Sequence, residues 1–272
     1  MKTFYDLSLD VARIVIPDML VDGEVTASTT TSITDTENIV QQDEHFSKGI
    51  LWINSGTYSG RVIPITTHFG NKVNWATALA GAPATGVLFT IAPRVYPLPV
   101  IRAKIMQALY DTYVEDEDDT LTGDGETLEF TLPTGVYDIK RVRIEHPTNT
   151  TNFYYSSHWK PKNGKIKFDY GFAPEDDYKV VLIHAAQHDT LSSYNSEVNH
   201  EIDTNWLKLK AAEYLLDYGM GKYGGQKEYR IEERMNFVRE KLVAKSPRRS
   251  IDVTIRSAGM PSVSLGNTTR NP

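Results

Sequence analysis

Segments with a helical apolar period are kept apart in this chain by long stretches that read as strand. Residues 3–16 place Leu7, Val11, Ile14 and Val15 at helical spacing, with Asp10 and Arg13 opposite and Pro17 at the end. Residues 97–114 open on Pro97 and Pro99 and align Ile101, Ile105, Ala108 and Thr112 in one stripe, widened by Leu109 and Tyr113. Residues 203–218 carry Leu207, Ala211, Leu215 and Tyr218, with Asp203 or Thr204 as N-cap and Gly219 as terminator. Residues 226–245 repeat Ile231, Met235, Val238 and Leu242 at steps of 4, 3 and 4, a seam like that of a coiled coil. Helices of this length do not stand alone in water, so the four must meet across the intervening chain. The expected fold class is α+β: a small helical bundle with two inserted antiparallel β modules and an extended C-terminal arm.

On this reading the bundle takes residues 1–21, 96–117 and 200–245. The first β module takes 22–95, the second, sandwich-like module 118–199, and the arm 246–272. In the first module, 25–33 has strand-like Val and Thr density, 50–53 and 61–65 flank a Gly-rich turn, and 72–75 and 87–91 follow. Residues 115–119 are all acidic; carboxylates oppose the negative end of a helix dipole, so the preceding helix should stop there. In the second module, 127–131 and 139–144 alternate. Asn163-Gly164 forms a two-residue hairpin between Trp159 and 165–168, and the apolar run 178–183 reads as a central strand.

Composition narrows the function classes. The 272-residue chain has net charge −6, which argues against general coating of nucleic acid. It has no cysteine, which removes disulfides, thiolate metal sites and cysteine nucleophiles. Fifteen Tyr and four Trp supply amphipathic contact surface. No apolar run reaches the length of a membrane span, and Asp6, Asp10 and Arg13 break up any leader-like stretch at the start.

Catalytic and cofactor motifs do not assemble. Gly219, Gly221 and Gly224 match a dinucleotide fingerprint but follow a helix where the fingerprint needs a strand. The stretch 118–129 has Gly123 and Glu129 at calcium-loop positions, yet Thr120 and Thr122 replace ligands and a strand follows; a solvated acidic turn fits better. His184 and His188 are four apart in a strand context, where that spacing defines no metal face. Glu145, Glu175, Asp176 and Asp177 read as strand-end and turn carboxylates. Phe153, Tyr154, Tyr155 and Trp159 could build a sugar-stacking platform; core and rim aromatics of a sandwich are the plainer reading. No enzyme activity, cofactor or metal is expected.

The arm is the segment most suited to gripping a neighbour. It carries Arg248, Arg249, Arg256 and Arg270 against Asp252, and its alternating Ile251, Val253 and Ile255 could add as a strand to another sheet.

The run Ile50-Leu51-Trp52-Ile53-Asn54-Ser55-Gly56-Thr57-Tyr58-Ser59-Gly60-Arg61-Val62-Ile63, then Ala82-Pro83-Ala84-Thr85-Gly86-Val87-Leu88-Phe89-Thr90-Ile91, resembles virion proteins of tailed bacteriophages. The helix after Pro97, the module containing HPTN and GKIKF, and the last two helices extend that likeness over most of the chain. The resemblance implies a neck protein of the head-to-tail connector (adaptor) family. It implies a homo-oligomeric ring, of about twelve copies if it follows portal symmetry, docked under the portal protein by its C-terminal arm. The two large β modules depart from a minimal adaptor. The partners expected on this basis are the portal, neighbouring copies, tail or neck proteins, and packaged DNA passing without sequence-specific binding; no membrane is involved. The protein would be made in the host cytoplasm and reside in the virion. A carbohydrate-recognising virion module and a virion-associated hydrolase are the alternatives.

Overall fold

The structure, a computed structural model, describes residues 2–136, 138–223 and 230–244. The arm and its Arg248, Arg249, Ile251, Val253, Ile255 and Arg256 lie outside the described residues, as does the start expected at 226 for the last helix. The described residues are mixed α+β, with four α-helices and four antiparallel sheets.

Helix α1 (Phe4–Val15) begins where Thr3 and Asp6 satisfy each other's backbone donors in a capping box. It buries Phe4, Leu7, Val11, Ala12 and Val15 and ends before Pro17. Eight short strands follow: β1 (Val21–Glu24), β2 (Ala27–Thr29), β3 (Ser32–Thr34), β4 (Ile50–Ile53), β5 (Arg61–Pro64), β6 (Thr67–Phe69), β7 (Lys72–Asn74) and β8 (Leu88–Ala92). They form two sheets, ordered β1-β8-β4-β5 and β2-β3-β7-β6, around a core that includes Ile33, Phe46, Leu51, Val73 and Phe89. The strand-like stretch 25–33 contains most of two strands, β2 and β3, paired in a hairpin.

Strand β4 is buried on both faces. Leu51 and Ile53 enter the core between the two sheets, while Ile50 and Trp52 join the core of the helices. A strand covered on both sides reads as a continuous apolar run, which is what Ile50-Leu51-Trp52-Ile53 is. Gly23 on β1 is fixed by crowding: a Cβ there would stand 2.3 Å from Asp35 Oδ2 and 2.6 Å from the Phe89 ring. Asp35 is buried and accepts hydrogen bonds from the backbone of Glu24, Glu37 and Asn38 and from the Asn38 amide. Burial pushes its pKa up, but these donors outweigh that and hold it below the usual carboxylate range.

Helix α2 (Leu98–Tyr110) stops earlier than the sequence suggested, with Thr112 Oγ1 donating back to Leu109 O at 2.7 Å. The acidic run does not close it. Residues 115–119 lie in strand β9 (Val114–Thr122), so the expected module boundary at 117/118 falls inside a strand. Carboxylates are tolerated there because alternate ones meet cations: Glu115 pairs with Arg141, Glu117 with Arg143 and Asp119 with Lys179.

The remaining strands are β10 (Glu129–Thr131), β11 (Ile139–His146), β12 (Asn149–Ser156), β13 (Trp159–Lys162), β14 (Lys165–Phe168) and β15 (Lys179–Ala186). They form a sheet ordered β12-β11-β15-β9, with β15 internal as its apolar run requires, and a smaller one ordered β10-β14-β13. Val142, Ile144, Ile166, Phe168, Val180 and Leu182 make the core between them. The β13–β14 hairpin turns on Asn163 and Gly164, at φ +50° and +73°; left-handed backbone at both central positions is what a two-residue turn of this kind needs.

Asp203 caps helix α3 (Thr204–Tyr223), accepting from the Asn205 and Trp206 backbone N–H groups. The helix does not end at Gly219. It continues through Gly221, and Gly219 serves packing: a Cβ there would lie 2.1 Å from Tyr96 Oη. Both glycines of the fingerprint-like run that are described therefore sit inside a helix. Helix α4 (Ile231–Ala244) packs on α3, and α1, α2, α3 and α4 contribute to one continuous core. Helix α3 buries Trp206, Leu207, Leu209, Ala211, Leu215 and Leu216, wider than a single stripe, because it touches the other three helices.

Candidate functional site

The sheet β12-β11-β15-β9 has two edges of opposite character. Strand β9 carries five consecutive carboxylates. Strand β12, Asn-Thr-Thr-Asn-Phe-Tyr-Tyr-Ser, carries no charge and is exposed along seven of its eight residues. Among the described residues β12 pairs only with β11, so its outer backbone N–H and C=O groups face solvent. Proteins blunt such edges with charge, proline or bulges; β9 has charge, whereas β12 has neither charge nor proline, and its pairing with β11 shifts register only near its start, between Asn149 and Phe153.

Register decides which side chains surround this edge. Arg143 lies opposite Tyr155 and Glu145 opposite Phe153, so these four share one face of the sheet. Ile144 points into the module core and lies opposite Tyr154, which puts Tyr154 on the other face. Phe153 and Tyr155 meet edge to face with centroids 5.7 Å apart. The Arg143 guanidinium stands over the Phe153 ring at 5.5 Å and that of Arg141 over the Tyr155 ring at 5.7 Å.

A ladder of ion pairs crosses the same face. Arg143 donates two hydrogen bonds to Glu117, at 2.8 and 2.7 Å, and a third from Nε to Glu145 at 2.7 Å; Arg141 pairs with Glu115. The hydrogen bonds to Glu117 raise the Arg143 pKa further, against the opposing effect of burial. Val181 and Ile183 are buried and lie directly opposite Arg143 and Arg141 in the register. The result is a flat surface of fixed arginines and half-exposed aromatics beside an open strand edge. Aromatic residues and Arg are the side chains most enriched in protein–protein interfaces.

The four aromatics considered for a sugar platform are not brought together. Phe153 and Tyr155 are on one face and Tyr154 on the other. Trp159 packs half-buried against the module core, its indole N–H donating to Ser156 O at 3.0 Å.

A cleft of about 360 Å³ lies between the β9 and β15 ends and the chain before α3, lined by Glu115, Asp116, His188, Asp189, Glu197 and Asn199 among others. Its His188 and Glu115 are committed to structure. His188 Nε2 accepts from Asn199 N–H at 2.8 Å, so Nδ1 carries the proton and donates to the Asp189 carbonyl at 2.6 Å. Glu115 is held by Arg141. His184 is buried within β15, its Nδ1 3.3 Å from Ala185 O. Among the described residues no group of three or more His, Asp or Glu is placed to hold a metal ion. In the loop that resembled a calcium site, Asp124 accepts from Thr127 Oγ1 and from the Thr127 and Glu126 backbone, which lower its pKa to about 2.

In α4, Ile231, Met235 and Val238 are buried and Leu242 is partly buried against the shared helical core. The periodicity did not reveal Arg234. This residue donates to Val15 O at 2.8 Å and to Asp18 at 2.5 Å, closing the C-terminal end of α1 from 219 residues away. Its place off the apolar seam looks solvated in sequence, yet its side chain is only 13% exposed.

The chain matches no known protein-family model, and no curated protein matches it. Among the described residues no helix is long and apolar enough to cross a membrane.

Proposed function

We propose that this chain is a structural virion protein of a tailed phage, a head-to-tail adaptor that forms a ring under the portal and joins capsid to tail around the DNA channel. In this reading the four helices are a bundle body, the two β modules are insertions in it, and the arm 246–272 docks on the portal through Arg248, Arg249 and Arg256 and the run Ile251 to Ile255. The sequence resemblance supplies the virion context. The observation that carries an assembly role is the β12 edge: eight uncharged residues, unpaired on one side, with Phe153, Tyr154 and Tyr155 each about half-exposed. An edge like this is costly in a free protein and is understandable where a partner covers it.

The test is co-sedimentation with portal rings, together with the native mass of the purified chain alone and with portal. Rings that form on portal, and are lost on deletion from Ser246 without loss of folding, support the adaptor. A well-folded truncation that still co-sediments moves the portal contact to the helices or β modules. No interaction with any portal or neck protein overturns the reading. The exposed pair Phe153 and Tyr155 favours one alternative, recognition of host carbohydrate. Their edge-to-face geometry offers no common plane for a sugar ring, and a glycan array tests it directly.

A further inference from the structure

The small sheet β10-β14-β13 presents a row of lysines on its outer face. Register puts Lys160 directly opposite Lys167 and Lys162 directly opposite Lys165; on the other side of β14, Glu129 lies opposite Lys167 and Thr131 opposite Lys165. Alternation sends Phe130, Pro161, Ile166 and Phe168 to the inner face, where Ile166 and Phe168 are buried. The outer positions are therefore four lysines, Glu129 and Thr131. Lys160, Lys162 and Lys165 are exposed and Lys167 is half-buried.

Like charges directly opposite each other on an antiparallel pair repel, and this hairpin sets them so twice. Glu129 is the one carboxylate at the six positions. Lys167 Nζ reaches it at 2.8 Å, and Lys162 and Lys165 Nζ each at 3.9 Å. The Lys167 hydrogen bond, then the charge of all three, lowers the Glu129 pKa. One carboxylate does not neutralise four ammonium groups. The fold does not require them either: Asn163-Gly164 sets the turn and Ile166 with Phe168 sets the packing, so uncharged residues would serve on the outer face.

We infer that this face is a sequence-independent binding site for the phosphodiester backbone of nucleic acid. Its chemistry favours phosphate over a carboxylate partner. The lysine face contains no arginine, so it offers none of the bidentate, planar forks that Arg143 turns on Glu117 and Arg230 on Glu233. Lysine is a compact point charge on a flexible stem and imposes no planar geometry on a polyanion. Along each strand the lysines recur at every second residue, about 6.7 Å apart, in two rows roughly 4.8 Å from each other. That layout suits a linear polyanion better than a single ion. No amide or aromatic side chain occupies the six positions, so nothing there reads a base edge. The inference stands on the lysine geometry alone and goes beyond the virion reading. Within a ring, it would turn the outer sheet of the second module toward the DNA path.

The test uses the full chain and a short, fluorescein-labelled duplex of mixed sequence, followed by anisotropy over a salt series. Engagement of three or four lysines predicts that a fourfold rise in salt weakens binding by roughly fortyfold to a hundred-and-fiftyfold. Replacing Lys160, Lys162, Lys165 and Lys167 together by Gln should abolish binding and leave the melting temperature unchanged or higher, since the cross-strand repulsion is gone. Glu129→Gln should tighten binding several-fold, and Lys104→Gln on α2 should change nothing. Unchanged affinity in the fourfold variant overturns the site. If that variant melts lower, Glu129→Gln decides: tighter binding supports the site, and equal or weaker binding overturns it. Displacement of the duplex by poly-glutamate at equal charge concentration overturns the assignment to nucleic acid in favour of an acidic protein surface.

Discussion

Trp52 donates its indole N–H to Ser8 Oγ at 2.9 Å, with both side chains fully buried. Ser8 in turn donates to Tyr5 O at 2.9 Å, so the hydroxyl is satisfied in both roles. The bond joins α1 to β4 across 44 residues and sits inside the helical core. It explains why a serine lies on the apolar face of α1: it is the partner of an indole that enters from the first β module. Ser8→Ala should leave the Trp52 N–H buried without an acceptor and destabilise the protein by about 1–3 kcal/mol. A denaturant melt followed by tryptophan emission measures this, and unchanged stability would remove the bond from the account.

Tyr5 provides a second tie between the same two elements and makes it sensitive to alkali. Its hydroxyl lies 2.6 Å from Asn54 Oδ1 and 3.1 Å from Ile53 O. Burial first, and the Asp6 carboxylate second, push its pKa from the ordinary 10.0 up to about 12, with Arg13 opposing. The folded state thus holds the proton more tightly than the unfolded state. This stabilisation is complete below pH 10 and is lost progressively as pH rises through 10 to about 12. A spectrophotometric titration should lose one of its late-ionising tyrosines in Tyr5→Phe, and the variant should lose less stability over that window than the parent.

The α4 seam should divide by burial. Asp at Ile231, Met235 or Val238 places a charge in the shared helical core and should unfold the protein, at a cost of several kcal/mol. Leu242→Asp should cost less, because Leu242 is only partly buried and its carboxylate can reach solvent. Equal effects at Leu242 and Val238 in thermal melts would contradict this gradient.

At the β12 edge, Phe153→Ser with Tyr155→Ser should separate assembly from folding. Both rings are about half-exposed, so stability should change by about 1 kcal/mol or less, much of it from the lost contacts with Arg141 and Arg143. Association with copies or partners, read by sedimentation velocity, should fall strongly. A variant that associates as the parent does would show that this edge is not the contact.

What the sequence determined by itself were features encoded within a few residues. A capped start of α3 at Asp203 or Thr204, the Asn163-Gly164 hairpin, the internal strand through Val180 and Leu182, and the burial of Ile231, Met235 and Val238 are each legible from local period or turn chemistry. These depend on backbone conformation and on which side chains avoid water, and neighbours in the chain specify both. Only the tertiary structure decided features that need a distant partner. The acidic residues Glu115, Glu117 and Asp119 are strand residues because Arg141, Arg143 and Lys179 come alongside. Position 219, inside α3, is glycine because Tyr96 packs where a side chain would be. Trp52 turns toward the helices because Ser8 is there. Arg234 is half of a helix cap whose other half is Val15. Register alone brings four lysines around one glutamate and leaves β12 open beside two arginines. Apolar period records whether a side chain seeks burial; the partner that buries, pairs or neutralises it is set by long-range packing, which no local pattern encodes.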